Sequence, residues 1–166
     1  MKKILIIGCS GSGKSTLAKK LNQKLSLPVI GLDQHYWKPG WVRPPQEEWR
    51  IKMSKLVKQN EWIIDGNHQS TFDIRFPECD TIIWMDFNRL ICFARTLRRR
   101  LFQDRVDPLD NCDERLDFKF IKWILWDYPT TGKTKIQLFL KQYSDKKIFV
   151  IKSKTDLKKF ENQLQI

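Results

Sequence analysis

Apolar positions along this chain alternate between two rhythms. Lys3-Ile4-Leu5-Ile6-Ile7 is a short β-branched run, the composition of a strand buried on both faces. Leu17, Ala18, Leu21 and Leu25 then recur at helical spacing. The same alternation continues to the C-terminus. Strands are predicted at Pro28–Asp33, Trp62–Asn67, Thr81–Phe87 and Ile148–Ile151. Helices are predicted over 46–59, with Trp49, Met53, Leu56 and Val57 on one face, and over 88–102, with Leu90, Ala94, Leu97 and Leu101 inward. Residues 117–127 read as a helix apolar nearly all round, 134–143 as an amphipathic one, and Leu157, Phe160 and Leu164 mark a terminal helix. Gln34 to Pro45, rich in Trp, Pro and Gly, fits neither a regular helix nor a central strand, and Asp104–Asp113 reads as an exposed mobile loop. Strand–helix alternation throughout implies an α/β fold, with a five-stranded, mainly parallel sheet covered on both faces. Its ligand should lie over the carboxyl ends of the strands.

The segment between the first strand and first helix gives that expectation chemical content. Residues 8–15, Gly-Cys-Ser-Gly-Ser-Gly-Lys-Ser, match the phosphate-binding P-loop pattern in full and in its proper setting. Glycines let successive N–H groups face an anion as a nest, and the helix N-terminus adds partial positive charge. Gly8, Ser10, Gly11, Ser12, Gly13, Lys14, Ser15 and Thr16 are therefore the candidate nucleotide-binding set, with Lys14 reaching the β- and γ-phosphates. The fold expectation becomes a three-layer α/β/α P-loop NTPase with a short helical lid, binding a nucleoside triphosphate and Mg²⁺.

At 166 residues the chain is expected to be one domain, 1–166, with an acceptor-binding insert at about 34–60 and a lid at about 100–128. No Asn-Lys-x-Asp segment supports a GTPase, and no His-Arg-Asp segment supports a protein kinase. The formal net charge of +12 suits a phosphorylated substrate and would also hold nucleic acid loosely. Six arginines fall between positions 89 and 105. Arg95 and Arg99, four apart, share a helix face and are candidates to clamp a polyphosphate; Arg98 and Arg100 are expected to point elsewhere, and Arg115 to follow the polar loop. Cysteines 9, 79, 92 and 112 show neither disulfide nor zinc spacing. With no membrane-length apolar run and no leader pattern, the expectation is a cytoplasmic protein, with a monomer the default.

Two carboxylates are expected at the same sheet edge. Asp65 closes the third predicted strand and, with Ser15, is the candidate Mg²⁺ ligand. Asp33 closes the second and could take a proton from an acceptor hydroxyl or bind one. Lys14, Asp33, Arg95 and Arg99 form the candidate catalytic set. His35 reads as a stacked or structural residue in an aromatic loop, and His68 carries no legible role. The Trp37 and Trp41 loop is expected to act as an acceptor lid.

Taken together, Gly-Cys-Ser-Gly-Ser-Gly-Lys-Ser-Thr at 8–16, Leu-Asp-Gln-His-Tyr-Trp-Lys-Pro-Gly-Trp at 32–41 and Trp-Ile-Ile-Asp-Gly-Asn at 62–67 resemble the nucleoside monophosphate kinase superfamily. More narrowly, they resemble the adenylate-kinase-related proteins labelled DNA topology modulation proteins. The likeness continues through 80–86, 95–101, 114–118 and Trp123. It implies a kinase-like core, ATP as donor, an acceptor region around Asp33 and phosphate contacts from Arg95 and Arg99. The chain departs from adenylate kinases in having neither a Thr-Gly-Asp-Met-Leu-Arg type of segment nor a four-cysteine lid, which leaves the acceptor unassigned. The implied function is γ-phosphoryl transfer from Mg-ATP to a small-molecule or nucleotide acceptor. The alternatives are a nucleotide-dependent nucleic-acid-binding regulator and a slow NTPase without an acceptor.

Overall fold

The computed structural model describes residues 1–102, 106, 108–109, 112 and 117–165. Strand β1 (Lys3–Gly8) is its centre: Ile4, Leu5, Ile6 and Ile7 are each fully buried. Successive strand side chains point to opposite faces, so both faces of the sheet are covered. Helix α1 (Lys14–Leu25) follows, then β2 (Val29–Gly31), α2 (Leu32–Tyr36), α3 (Gln46–Leu56), β3 (Trp62–Asp65), α4 (Phe72–Glu78) and β4 (Thr81–Met85). Next come α5 (Arg89–Phe102), α6 (Phe118–Lys122), a π-helical segment (Trp123–Gly132), α7 (Lys133–Gln142), β5 (Lys147–Ile151) and α8 (Lys154–Leu164). The five strands run in the order β2-β3-β1-β4-β5, and every pairing is parallel. The chain moves from β1 to one edge and later adds β4 and β5 on the other side. The carboxyl end of β1 thus lies where strand order reverses, the ligand position of open α/β sheets.

Several local expectations change. Asp33 does not end β2; it lies in the first turn of α2, just past the strand. Residues 34–36, expected to be irregular, complete that short helix. The following turn is closed tightly, with Lys38 N donating to Val42 O at 3.0 Å and Val42 N to Lys38 O at 3.3 Å. The predicted helices over 117–127 and 134–143 are one helical run. Pro129 has no N–H to give an ordinary helical turn, and the run passes it in wider π-helical turns. Helix α4, absent from the sequence reading, is seven residues long and contains Pro77.

Helix α5 turns a different face inward from the one its leucines suggest. Leu90, Ala94, Leu97 and Leu101 are exposed, whereas Cys92 and Thr96 are buried. The reason is the phosphate loop. A Cβ on Gly11 would stand 2.2 Å from Cys92 O and 2.6 Å from Thr96 Oγ1, an approach that leaves no room for leucine on the facing side of α5. The expected loop at 104–113 and the expected lid at 100–128 lie partly outside the described residues, and Arg105 and Arg115 lie wholly outside them.

Candidate active site

The loop between β1 and α1 is shaped by glycine backbone. Gly13 has φ of 97°, which an L side chain rarely adopts, and Gly11 is held against α5 by the contacts above. Lys14 opens α1, and its Nζ donates to Cys9 O at 3.0 Å, bending the ammonium back over the loop. Ser10, Gly11, Gly13, Lys14, Ser15 and Thr16, with Gly8, line one cleft. Ser12 does not: its side chain is fully buried and its N–H donates to Cys9 O at 3.2 Å, so it shapes the loop from behind. The Cys9 thiol is pushed far up by its hydrogen bond with Cys92 and by burial, so it stays protonated and is no nucleophile.

Three arginines of α5 face the same cleft. Arg95 donates to Ser12 O at 3.3 Å, and its guanidinium lies 4.8 Å from the centroid of the Phe87 ring. Arg98 and Arg99 line the cleft beside it. Positions i, i+3 and i+4 share a helix face, so Arg98 joins the expected pair rather than pointing elsewhere. Arg100 is exposed, as a surface charge would be.

At the other end of the cleft stands Asp33. Its Oδ1 is 3.0 Å from His68 Nε2. An ionised carboxylate only accepts, so Nε2 carries the proton and donates. The His68 ring is caged by Tyr36 and Trp49, at centroid distances of 4.4 and 5.4 Å. Its main chain is held as well. The fully buried Arg75 donates to Gly66 O (2.9 Å), Asn67 O (3.0 Å) and His68 O (2.8 Å). Burial pushes the Arg75 guanidinium down to about 9, still far enough above neutral pH to keep it charged. Sequence reasoning missed this assembly, because its members come from α2, α3, the 66–68 turn and α4 and meet only on folding. The Gly-Asn-His run directly after the Asp65 strand end was the available signal. His35 lies outside the cleft; partial burial and the nearby Lys52 push its pKa down.

The tight turn after α2 carries two indoles. Trp37 and Trp41 meet edge to face at 5.2 Å, and Arg43 sits 5.7 Å over the Trp37 ring. Across the cleft, Lys119, Phe120, Trp123 and Asp127 form a second wall, with the Phe120 and Trp123 rings nearly parallel at an interplanar angle of 6°. The whole encloses about 900 Å³, continuous from the phosphate loop to Asp33.

Asp65 is 5 % exposed and ends β3, paired in register with Ile6 of β1 and Gly31 of β2. It lines the cleft with Ser15. Both offer oxygen ligands, and Mg²⁺ favours such a site: one or two protein oxygens, the rest from water and phosphate. Among the described residues, no group of three His, Cys, Asp or Glu side chains could hold a metal alone. The donor set therefore fits a Mg²⁺ that arrives with the nucleotide. None of the described helices is long and apolar enough to cross a membrane.

Comparison with protein-family models gave no match, and comparison with curated protein sequences gave none. Solved structures do match along nearly the full length. Deoxyadenosine kinase from M. mycoides with bound dATP aligns at TM-score 0.53 and 15 % identity, covering 98 % of this chain and 99 % of that one. The same enzyme with products dCMP and dCDP aligns at TM-score 0.52 and 17 % identity, covering 98 % and 97 %. Shikimate kinase from Bacteroides thetaiotaomicron aligns at TM-score 0.56 and 15 % identity, covering 98 % of each chain. At such identities the likeness establishes the fold, which is that of P-loop kinases.

Proposed function

We propose that this chain is an ATP-dependent phosphotransferase, moving the γ-phosphoryl group of Mg-ATP to an acceptor seated against Asp33. The observation that carries the reading is the single cleft of about 900 Å³, with the phosphate loop and arginines at one end and a carboxylate at the other. A simple NTPase needs no second, aromatic-walled compartment. The fold shared with deoxyadenosine and shikimate kinases supports the same reading, and the order of motifs at 8–16, 32–41 and 62–67 favours an adenylate-kinase-related member.

In this mechanism the loop N–H groups and Lys14 would hold the β- and γ-phosphates, and Ser15 and Asp65 would hold a Mg²⁺ that offsets phosphate charge when bound. Arg95 and Arg99, with Arg98, face the charge that spreads over the transferring group, and Asp33 orients the attacking oxygen. Catalysis is then positioning and electrostatics.

The test offers γ-labelled ATP and Mg²⁺ with a panel of alcohols, nucleosides, nucleoside monophosphates and nucleic-acid ends. Label should move to an organic acceptor, falling by about 100-fold or more in Lys14→Ala and in Arg99→Ala. Release of inorganic phosphate alone, whatever is offered, would replace the kinase with an NTPase. Label on nucleic-acid ends would redirect the acceptor assignment.

A further inference from the structure

We infer that this chain pairs with a second copy of itself, weakly and antiparallel, through the outer face of α5.

Leu90, Ile91, Ala94, Leu97 and Leu101 form one stripe along that helix, within about 120° of its circumference. All five are exposed, Leu90 by 63 % and Leu101 by 69 %. The helix is anchored on its other side, where Cys92 and Thr96 are buried against the phosphate loop. That anchoring does not call for leucine on the outer side, since lysine and glutamate form helix about as well. A contiguous apolar patch of several hundred Å², written on a single helix, marks a contact with another molecule.

The spacing points to what that molecule is. Leu90, Ala94, Leu97 and Leu101 stand four, three and four residues apart, the seam of a two-helix contact. The series reads the same in both directions. In an antiparallel pair, with the two-fold axis between Arg95 and Thr96, Leu90 meets the partner's Leu101 and Ala94 meets the partner's Leu97. Small faces large at the centre, which lets the helices approach closely. Each contact is made twice, as a two-fold interface requires.

Charge selects the direction. Helix α5 carries no acid; Arg98 and Arg100 flank the C-terminal half of the stripe, and Ile91 and Phe93 its N-terminal half. Parallel pairing would gather the arginines of both helices at one end, where like charges repel. Antiparallel pairing sets Arg98 beside the partner's Ile91 and Arg100 beside the partner's Phe93, where the aliphatic stem of arginine covers apolar surface.

The stripe offers roughly 500 Å² per copy, and so about 1,000 Å² in the pair, at the lower bound of specific interfaces. The corresponding dissociation constant is on the order of 10–50 µM. At about 1 µM the chain is then monomeric, and changes to the stripe leave its unfolding unaffected. The net charge of +12 opposes pairing, so added salt should tighten the dimer. Salt would instead weaken a contact with an anionic lipid surface or a nucleic acid.

Sedimentation equilibrium between about 1 and about 300 µM, at low and high salt, measures the pairing. A dimer is expected, tighter by severalfold at high salt. Leu90→Lys and Leu97→Lys should each raise its dissociation constant by about tenfold or more. Leu138→Lys, at a leucine of α7 that is also 63 % exposed, should change it by less than about twofold. Oxidising a mixture of the Leu90→Cys and Leu101→Cys proteins should give a disulfide-linked pair, and either protein alone should give none. The four native cysteines are buried and do not compete. A monomer throughout the range, an assembly larger than two, or a dimer no more sensitive to the stripe than to Leu138→Lys would overturn the inference. Cross-linking of the Leu90→Cys protein alone would replace antiparallel by parallel pairing. A monomer that pellets with mixed phosphatidylcholine and phosphatidylserine vesicles, but not with phosphatidylcholine alone, would give the face to a lipid surface.

Discussion

Arg75 shows how much one residue can organise without touching substrate. It is fully buried, donates to three consecutive carbonyls at 66–68, and lies 5.1 Å from the Phe72 ring centroid. Those carbonyls belong to the turn that follows Asp65 and presents Asn67 and His68 to the cleft. Removing the guanidinium leaves them dry and unsatisfied around a new cavity, a loss of about 3–5 kcal/mol. Arg75→Ala should therefore lower the melting temperature by about 10 °C, read by calorimetry. A drop of only a degree or two would mean that water or neighbouring N–H groups replace the arginine easily. At the same scale, legibility in the sequence was uneven. The phosphate loop could be read because its glycines, lysine and serine are contiguous and their spacing is the mechanism. Asp65 could be read from its strand end, whereas Asp33, read as a strand end, lies in the first turn of α2. His68 could not, because its meaning lies in Tyr36, Trp49, Asp33 and Arg75, which approach it only through tertiary packing.

Among the elements, α5 is the instructive case. Its leucines recur at a period that ordinarily marks an inward face, yet Leu97 is 39 % and Leu101 69 % exposed. Periodicity reports which positions share a face, not what that face meets. The neighbour decides, and the neighbour is the glycine loop, against which Cys92 and Thr96 are buried. Leu97→Gln and Leu101→Gln are accordingly expected to change stability by no more than about 0.5 kcal/mol each in urea titrations. Thr96→Leu should cost about 1–3 kcal/mol by overpacking, and should weaken ATP binding because it pushes on the loop. The reverse ranking would restore the inward reading of the leucines. Helix α4 escaped the sequence reading for a different reason: its seven residues include Pro77 and are too few to establish a period.

For the whole molecule, the parallel sheet has to hold β1 in place against β4, because the phosphate loop hangs from one and the α5 arginines from the other. Asp80 fastens the opposite end of that pair. Its Oδ2 accepts from Lys2 N at 2.6 Å and Lys3 N at 2.9 Å, and its Oδ1 accepts from Thr81 Oγ1 at 2.6 Å. Burial alone would raise its pKa, but the hydrogen bonds from Thr81, Lys2 and Lys3 hold it below the usual carboxylate range. A carboxyl depressed on folding contributes stability above its unfolded value, near pH 4, and loses it as pH falls through the folded value. Asp80→Asn should therefore melt earlier than the parent at pH 7, and the gap should close progressively below about pH 4. A gap unchanged down to pH 2 would assign the effect to lost hydrogen-bond geometry rather than to charge. The α/β class and the parallel sheet were legible, since strand and helix rhythms are local, whereas α2, α4 and the inward face of α5 were not. The continuous cleft was not, because its far wall depends on how the 118–132 helical run lies over the sheet.

That cleft makes one claim above all, that the γ-phosphoryl group leaves ATP for an organic acceptor. The most direct measurement is ³¹P NMR of the protein with Mg-ATP and a panel of alcohols and nucleosides offered in turn, beside Lys14→Ala under identical conditions. The account predicts loss of the γ resonance with ADP and a phosphomonoester growing in equal amounts, and no change with the variant. Orthophosphate as the sole new signal, at a rate indifferent to the added acceptor, would contradict it.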